Sequence, residues 1–90
     1  MMREIVPTSQ FKRDYKKRSR ENGLDDVLTA VIDRLQVGDP LPAKFRDHTL
    51  KGGYAGCREC HLKPDLLLIY GLAENEVRLI RLGSHSDLFA

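Results

Sequence analysis

No apolar run in this 90-residue chain approaches the roughly 20 residues of a membrane helix, and the longest, 66–70, has the length of a strand. The opening Met-Met-Arg-Glu-Ile-Val-Pro lacks the apolar segment of a secretory signal. A cytoplasmic protein with no membrane partner is therefore expected. Cysteine is scarce, with only Cys57 and Cys60, and in that compartment the pair should remain reduced thiols rather than a disulfide. Internal repeats, low-complexity tracts and interdomain linkers are absent. The chain is short enough that one domain over 1–90 is expected.

Net charge is also small, +2, but it is unevenly placed. Lys12, Arg13, Lys16, Lys17, Arg18 and Arg20 cluster against the single acid Asp14. Such a segment suits a polyanion or an acidic protein partner, and it equally describes a solvated helix face.

Arg3 to Val6 reads as a short strand closed by Pro7. Thr8 or Ser9 then caps a helix, because a hydroxyl accepts the free amide protons of the first turn. Phe11 and Tyr15 share a face of that helix, which is expected to run to about Glu21 and stop at Asn22-Gly23. A second helix carries one apolar stripe of Leu24, Val27, Leu28, Val31, Ile32 and Leu35, with Asp25 and Asp26 at its start and Arg34 near its end. Gly38 and Pro40 end it. After an irregular stretch rich in proline and glycine, three strands are expected at about 54–62, 66–72 and 76–83, joined by short turns that make them antiparallel. The middle one is apolar on both faces and belongs in the centre of the sheet. An α+β fold follows, with two N-terminal helices packed on one face of a twisted antiparallel sheet and the other face left for function.

The three histidines, His48, His61 and His85, all lie in the second half, beside loops or strand ends. Imidazole can give and take a proton near neutral pH. Cleavage of RNA by its own 2′-hydroxyl needs a base, an acid and a cation for the phosphorane. Two histidines with Arg or Lys nearby meet that need. Strand alternation puts Cys57, Glu59 and His61 on one face and Arg58, Cys60 and Leu62 on the other, so Glu59 and His61 can act together. Asp65 either forms the turn after Pro64 or orients a histidine.

Cys57-Arg58-Glu59-Cys60-His61 also spells the attachment pattern of c-type haem. No export signal accompanies it, and both methionines stand at the N-terminus, so no distal ligand is at hand. Zinc on Cys57, Cys60 and histidine is opposed by the alternation that sends the two thiols to opposite faces. Two small, half-buried packing residues is the simpler reading.

Three motifs in order, Asp47-His48-x-Leu50-x-Gly52, Arg58-Glu59-Cys60-His61 followed by Pro64-Asp65-Leu66 and Leu68-Ile69-Tyr70, and Arg81-x-Gly83-Ser84-His85-Ser86-Asp87-Leu88-Phe89, make the chain resemble the YafQ group of the RelE superfamily of toxins. The resemblance spans nearly the whole length. It implies a microbial-ribonuclease-like α+β fold and ribosome-dependent cleavage of mRNA without metal or other cofactor. His48, His61, Asp65 and His85 match the group's acid–base set. Phe89 matches a substrate-holding aromatic, and Arg81 a cation for the scissile phosphate. Lys51 and Arg58 are expected to assist with charge, and Glu59 stands where the group usually has aspartate. Lys12, Lys16 and Lys17 are expected to meet ribosomal RNA of the 70S particle, an antitoxin, or both. The implied partner is a RelB/DinJ-type antitoxin, through which alone the protein would reach operator DNA. One departure is Leu66, where the group's best-known member has tryptophan. Loss of a base-stacking aromatic there would favour a rival reading, a fold that binds ribosome or antitoxin without cutting. A third reading is metal or haem binding through Cys57, Cys60 and His61.

Overall fold

The computed structural model describes residues 2–89. Strand β1 (Glu4–Pro7) leads into helix α1 (Ser9–Arg18), whose first turn is closed by Thr8 Oγ1 accepting from the Phe11 amide at 3.0 Å. Helix α1 ends at Arg18, short of the expected Glu21. Ser19 turns its hydroxyl back to the Lys16 carbonyl, and Glu21 is drawn between Arg18 and Lys63 instead of continuing the helix. Helix α2 (Leu24–Val37) follows the apolar stripe and stops at Gly38, whose φ of 78° suits glycine.

The sheet has five strands in the order β1-β5-β4-β3-β2. They are β2 (His48–Thr49), β3 (Arg58–Lys63), β4 (Leu66–Leu72) and β5 (Glu76–Gly83), with β1 at one edge. The strands from β2 to β5 pair antiparallel as expected, but β1 lies parallel to β5, so the sheet is mixed. The reason is α1. Beyond Pro7 the helix continues alongside β5, and a chain that passes from edge strand to helix need not reverse. The strand expected from residue 54 begins only at Arg58, because Gly52–Tyr54 forms a tight 3-10 turn and Gly56 has a φ of 90°.

The main core lies between the two helices and one face of the sheet. Phe11, Leu24, Leu28, Val31 and Leu35 meet Cys60, Leu62, Leu66, Leu68, Tyr70, Val77, Leu79 and Leu82. Burial of this apolar surface is the dominant stabilising term. A smaller cluster of Leu67, Ile69 and Leu88 underlies the other face, with Leu50, Tyr54, Cys57 and Ile80 packed on it. Its cover is a short helix that sequence reading did not foresee, α3 (His85–Phe89).

One irregularity decides which side chains reach that second face. Tyr70 pairs with Leu79, but Ile69 pairs with Arg81, leaving Ile80 as an extra residue in β5. Val77 and Leu79 point into the core, so strict alternation would send Arg81 there too. The bulge returns Leu82 to the core and turns Arg81 outward, a common use of bulges near functional sites. No helix among the described residues is long and apolar enough to cross a membrane.

Candidate active site

The register brings the three histidines together. Strand β2 exists as two residues because His48 pairs with Glu59 and Thr49 with Arg58. That pairing sets His48 beside β3, where alternation turns Glu59 and His61 to the face away from the helices. The rings of His48 and His61 are 6.2 Å apart, and those of His61 and His85 are 5.7 Å apart. His85 comes from α3 and Asp65 from the β3–β4 turn. Asp65 Oδ1 lies 2.8 Å from His85 Nδ1 and accepts the His85 amide at 3.1 Å. Asp65 thus orients a histidine, and these bonds hold its own pKa below the usual carboxylate value.

Glu59 is the hub. Its side chain is only 6% exposed, and Oε2 lies 2.9 Å from His48 Nε2 and 3.7 Å from His61 Nε2. Glu59 Oε1 is buried with no hydrogen-bond partner among the described residues. His48 Nδ1 sits 2.7 Å from the Arg46 carbonyl. Both ring nitrogens of His48 therefore face oxygen atoms, which fixes the plane of the ring. His61 differs. Partial burial pushes its pKa below the ordinary imidazole value, nearby Glu59 opposes that, and the charges of Arg46, His85 and His48 add to the lowering. His61 is thereby poised to be neutral near pH 7, free to accept a proton.

Arg81 reaches the same face but is not loose. Its Nε and Nη2 donate to both oxygens of Asp14 at 2.8 and 3.2 Å, and Nη1 to the Tyr54 hydroxyl at 3.4 Å. Asp14 is 5% exposed and also accepts the Leu82 amide at 3.0 Å, so it replaces a strand partner at the β5 edge. Burial opposes its ionisation. The hydrogen bonds from Arg81, Leu82 and Gln10 outweigh that and lower its pKa. Phe89 is 46% exposed and meets Tyr54 edge-on at 5.9 Å, giving the site an aromatic rim beside His85. Asp14 and Tyr54 were missed by sequence reading. Asp14 had a signal: it lies on the helix face of Phe11 and Tyr15, where a charge needs a partner.

Other expected residues lie elsewhere. Arg58 points to the opposite face, where it donates to both oxygens of Asp47 at 3.3 and 2.9 Å, and Asp47 also accepts from Tyr70. This tie anchors the chain just before His48 and takes Arg58 out of the histidine cluster. Lys51 is exposed in the loop after β2, and Lys12, Lys16 and Lys17 on the outer side of α1. Of these, Lys17 borders a small cavity of about 140 Å³ shared with Arg81 and Asp14. Leu66 is 1% exposed within the main core. Leu66 therefore faces away from the histidine cluster in this structure. Cys60 is fully buried on that same core side, and burial pushes its thiol up to about 12, while Cys57 is half-buried under the opposite face. The combination of Cys57, Cys60 and His61 therefore does not assemble. A different set does: ligand atoms of His48, Glu59 and His61 all lie within 4.8 Å of one another.

A sequence model of the family described as "Bacterial toxin of type II toxin-antitoxin system, YafQ" matches residues 3–90. The mRNA interferase toxin YafQ of Escherichia coli strain K12 is 37% identical over 93 residues, covering 99% of this chain and 98% of the relative. Among solved structures, a metal-bound toxin from Helicobacter pylori superposes with a TM-score of 0.89 at 44% identity, covering 99% of this chain and 100% of that one. YafQ in the E. coli DinJ-YafQ complex gives a TM-score of 0.86 at 34% identity over 98% of this chain and 99% of that one. With the motifs, the fold and these relatives in agreement over nearly the full length, the chain belongs to the YafQ family of bacterial type II toxins.

Proposed function

We propose that this chain, acting as a single domain, is a ribosome-dependent endoribonuclease that cuts mRNA by acid–base chemistry. The observation that carries the reading is the convergence of His48, His61 and His85 with two carboxylates on the sheet face opposite α1 and α2. His61, neutral near pH 7, takes the proton of the 2′-hydroxyl. The 2′-oxygen attacks phosphorus, the bond from phosphorus to the 5′-oxygen breaks, and His85, held by Asp65, protonates the leaving oxygen. The products are a 2′,3′-cyclic phosphate and a 5′-hydroxyl. Glu59 fixes His48 beside His61, where it shares in the proton transfers, and Arg81 supplies positive charge where the phosphorane forms. Phe89 and Tyr54 flank the substrate.

Lys12, Lys16, Lys17 and Lys51, all exposed, are the residues expected to meet ribosomal RNA. Because E. coli YafQ assembles with DinJ, an antitoxin of that kind is the expected protein partner. It is the expected route to operator DNA, and the cytoplasm is the expected location. The test is primer extension on an mRNA being translated in vitro. Cuts that need ribosomes and vanish with His85→Ala support the reading. An uncut message from folded wild-type protein defeats it and leaves ribosome or antitoxin binding as the activity.

A second reading rests on His48, Glu59 and His61. Two imidazoles and a buried carboxylate with a free oxygen form a donor set that fits a borderline divalent ion such as copper or zinc, and a related toxin is metal-bound. His48 Nε2, His61 Nε2 and Glu59 would hold it, and such an ion would supply Lewis acidity. Both imidazoles would then lose their free lone pairs, so metal holding and proton transfer by these residues are alternatives. Calorimetric titration with Cu²⁺ and Zn²⁺, wild type against Glu59→Gln, separates them: tight binding lost in the variant supports the metal reading.

A further inference from the structure

A groove of about 450 Å³ opens beside the histidine cluster, between α2, the Ala43–Phe45 turn and the end of β3. Val27, Phe45, Leu62 and Pro64 give it apolar walls. Lys44, Arg46 and Lys63 give it positive charge, and no carboxylate of the described residues lines it. The two smaller concavities differ, since one includes Asp39 and Asp47 and the other Asp14 and Asp87. His61 is a wall of the groove and a member of the cluster, so the two spaces are continuous.

The cations are not equivalent. Lys63 is held by Glu21 and the Asn22 carbonyl, and Lys44 lies over the Phe45 ring. Arg46 is exposed, and no hydrogen bond or ion pair holds its guanidinium among the described residues. Its backbone has a φ of 50°, a conformation that side-chain-bearing residues seldom adopt. Two bonds keep it so: its amide donates to the Ala43 carbonyl, and its carbonyl faces His48 Nδ1. The turn that aims Arg46 into the groove is therefore fastened to a histidine of the site.

We propose that this groove is a nucleotide subsite, seating the base of the nucleotide next to the scissile phosphate against the apolar walls, with that nucleotide's phosphate on Arg46. Apolar walls suit the faces of a base, which is held in single-stranded RNA by stacking and apolar contact. The unpaired guanidinium suits a phosphate oxygen. An acidic peptide could use the same charge, but the shared wall with His61 favours the RNA strand that must leave the site on one side. The proposal rests on the ribonuclease reading for its substrate and gives the enzyme a place to choose among bases.

The experiment is an NMR titration of the isotope-labelled full chain with each of the four nucleoside 5′-monophosphates. Saturable shifts at Val27, Arg46, His61 and Lys63 are expected, stronger for some bases than for others. Two variants are compared, Val27→Phe, which fills the groove, and Arg46→Asn, which removes the charge with a residue tolerant of positive φ. Each should weaken nucleotide binding by about tenfold while retaining the wild-type circular dichroism spectrum. Shifts confined to other surfaces, or unchanged affinity in both variants, overturn the proposal. So does loss of antitoxin binding with nucleotide affinity intact, which would give the groove to a protein partner. Cleavage of translated mRNA, run in parallel, keeps the two readings apart. A wild-type protein that binds nucleotides here but cuts no message defeats the ribonuclease reading and leaves the groove standing. One that cuts as expected while its groove ignores nucleotides defeats only the groove.

Discussion

The two faces of the sheet are built on different principles. On the core face, Cys60, Leu62, Leu66, Leu68, Tyr70, Val77, Leu79 and Leu82 are held by shape and exclusion of water. On the other face, polar side chains surround a thin apolar floor and are tied in pairs: Glu59 to His48, Asp65 to His85, Asp14 to Arg81. Strand β4 is apolar on both sides and serves both faces, whereas β3 and β5 each give one side to packing and one to chemistry. The core face can therefore lose a methylene and still leave the site intact. The site face can lose its function with little change in stability.

That separation can be broken from either side. The largest effect is expected from His85→Ala. Cleavage of translated mRNA should fall by 10²-fold or more, while urea unfolding should shift by no more than about 0.5 kcal/mol, because the side chain is exposed. Leu68→Ala is the converse. It should cost about 2–5 kcal/mol in urea unfolding, yet leave the specific rate of the folded fraction near that of wild type.

Asp14→Asn should touch both faces, since Asp14 serves the β5 edge and Arg81 together. A loss of about 1–3 kcal/mol should accompany a lower kcat, with KM changed less. Its folded pKa is lowered, so its contribution to stability is present above the unfolded value and is lost as pH falls through the folded one. Acid unfolding curves should show that loss in wild type and a flatter response in the variant.

His61 gives a pH signature of the site face alone. Its pKa is below the ordinary imidazole value, so the proton-accepting form persists into mildly acid solution. The acid limb of the cleavage rate should lie below that ordinary value. Folding stability should likewise decline only as pH drops past it toward the folded pKa. A limb above neutrality would contradict His61 as base. The smallest effect on activity is expected from Leu66→Trp. Cut sites and rate should stay as in wild type, with about 1–3 kcal/mol lost to overpacking in an unfolding titration. A changed cut-site profile would place residue 66 on the functional side after all.

Strong local periodicity made the core face legible in the sequence. The α2 stripe, the central place of β4 and the opposite faces of Cys57 and Cys60 all follow from spacing, and the structure chooses Thr8 over Ser9 as the cap of α1. The site face was legible only in part. Its histidines and Asp65 were picked out by chemistry and by resemblance, but their partners depend on pairing across the chain. A two-residue strand such as β2 has no period to read, and a five-residue helix such as α3 is too short to show one. The bulge at Ile80, which turns Arg81 outward, exists only in the pairing with β4. Arg58 misled for a related reason. It was expected to assist with charge, although alternation already put it on the other side, and its partner there, Asp47, stands eleven residues away in sequence.

The central claim, that the histidine face performs acid–base cleavage through the 2′-hydroxyl, is tested most directly by the ends it leaves. Fragments from mRNA translated in vitro would be mapped for their terminal groups, with released RNA kept in chelator after cutting. Upstream fragments should end in 2′,3′-cyclic phosphate and downstream fragments begin with a 5′-hydroxyl. Upstream 3′-hydroxyl ends with downstream 5′-phosphates would contradict it.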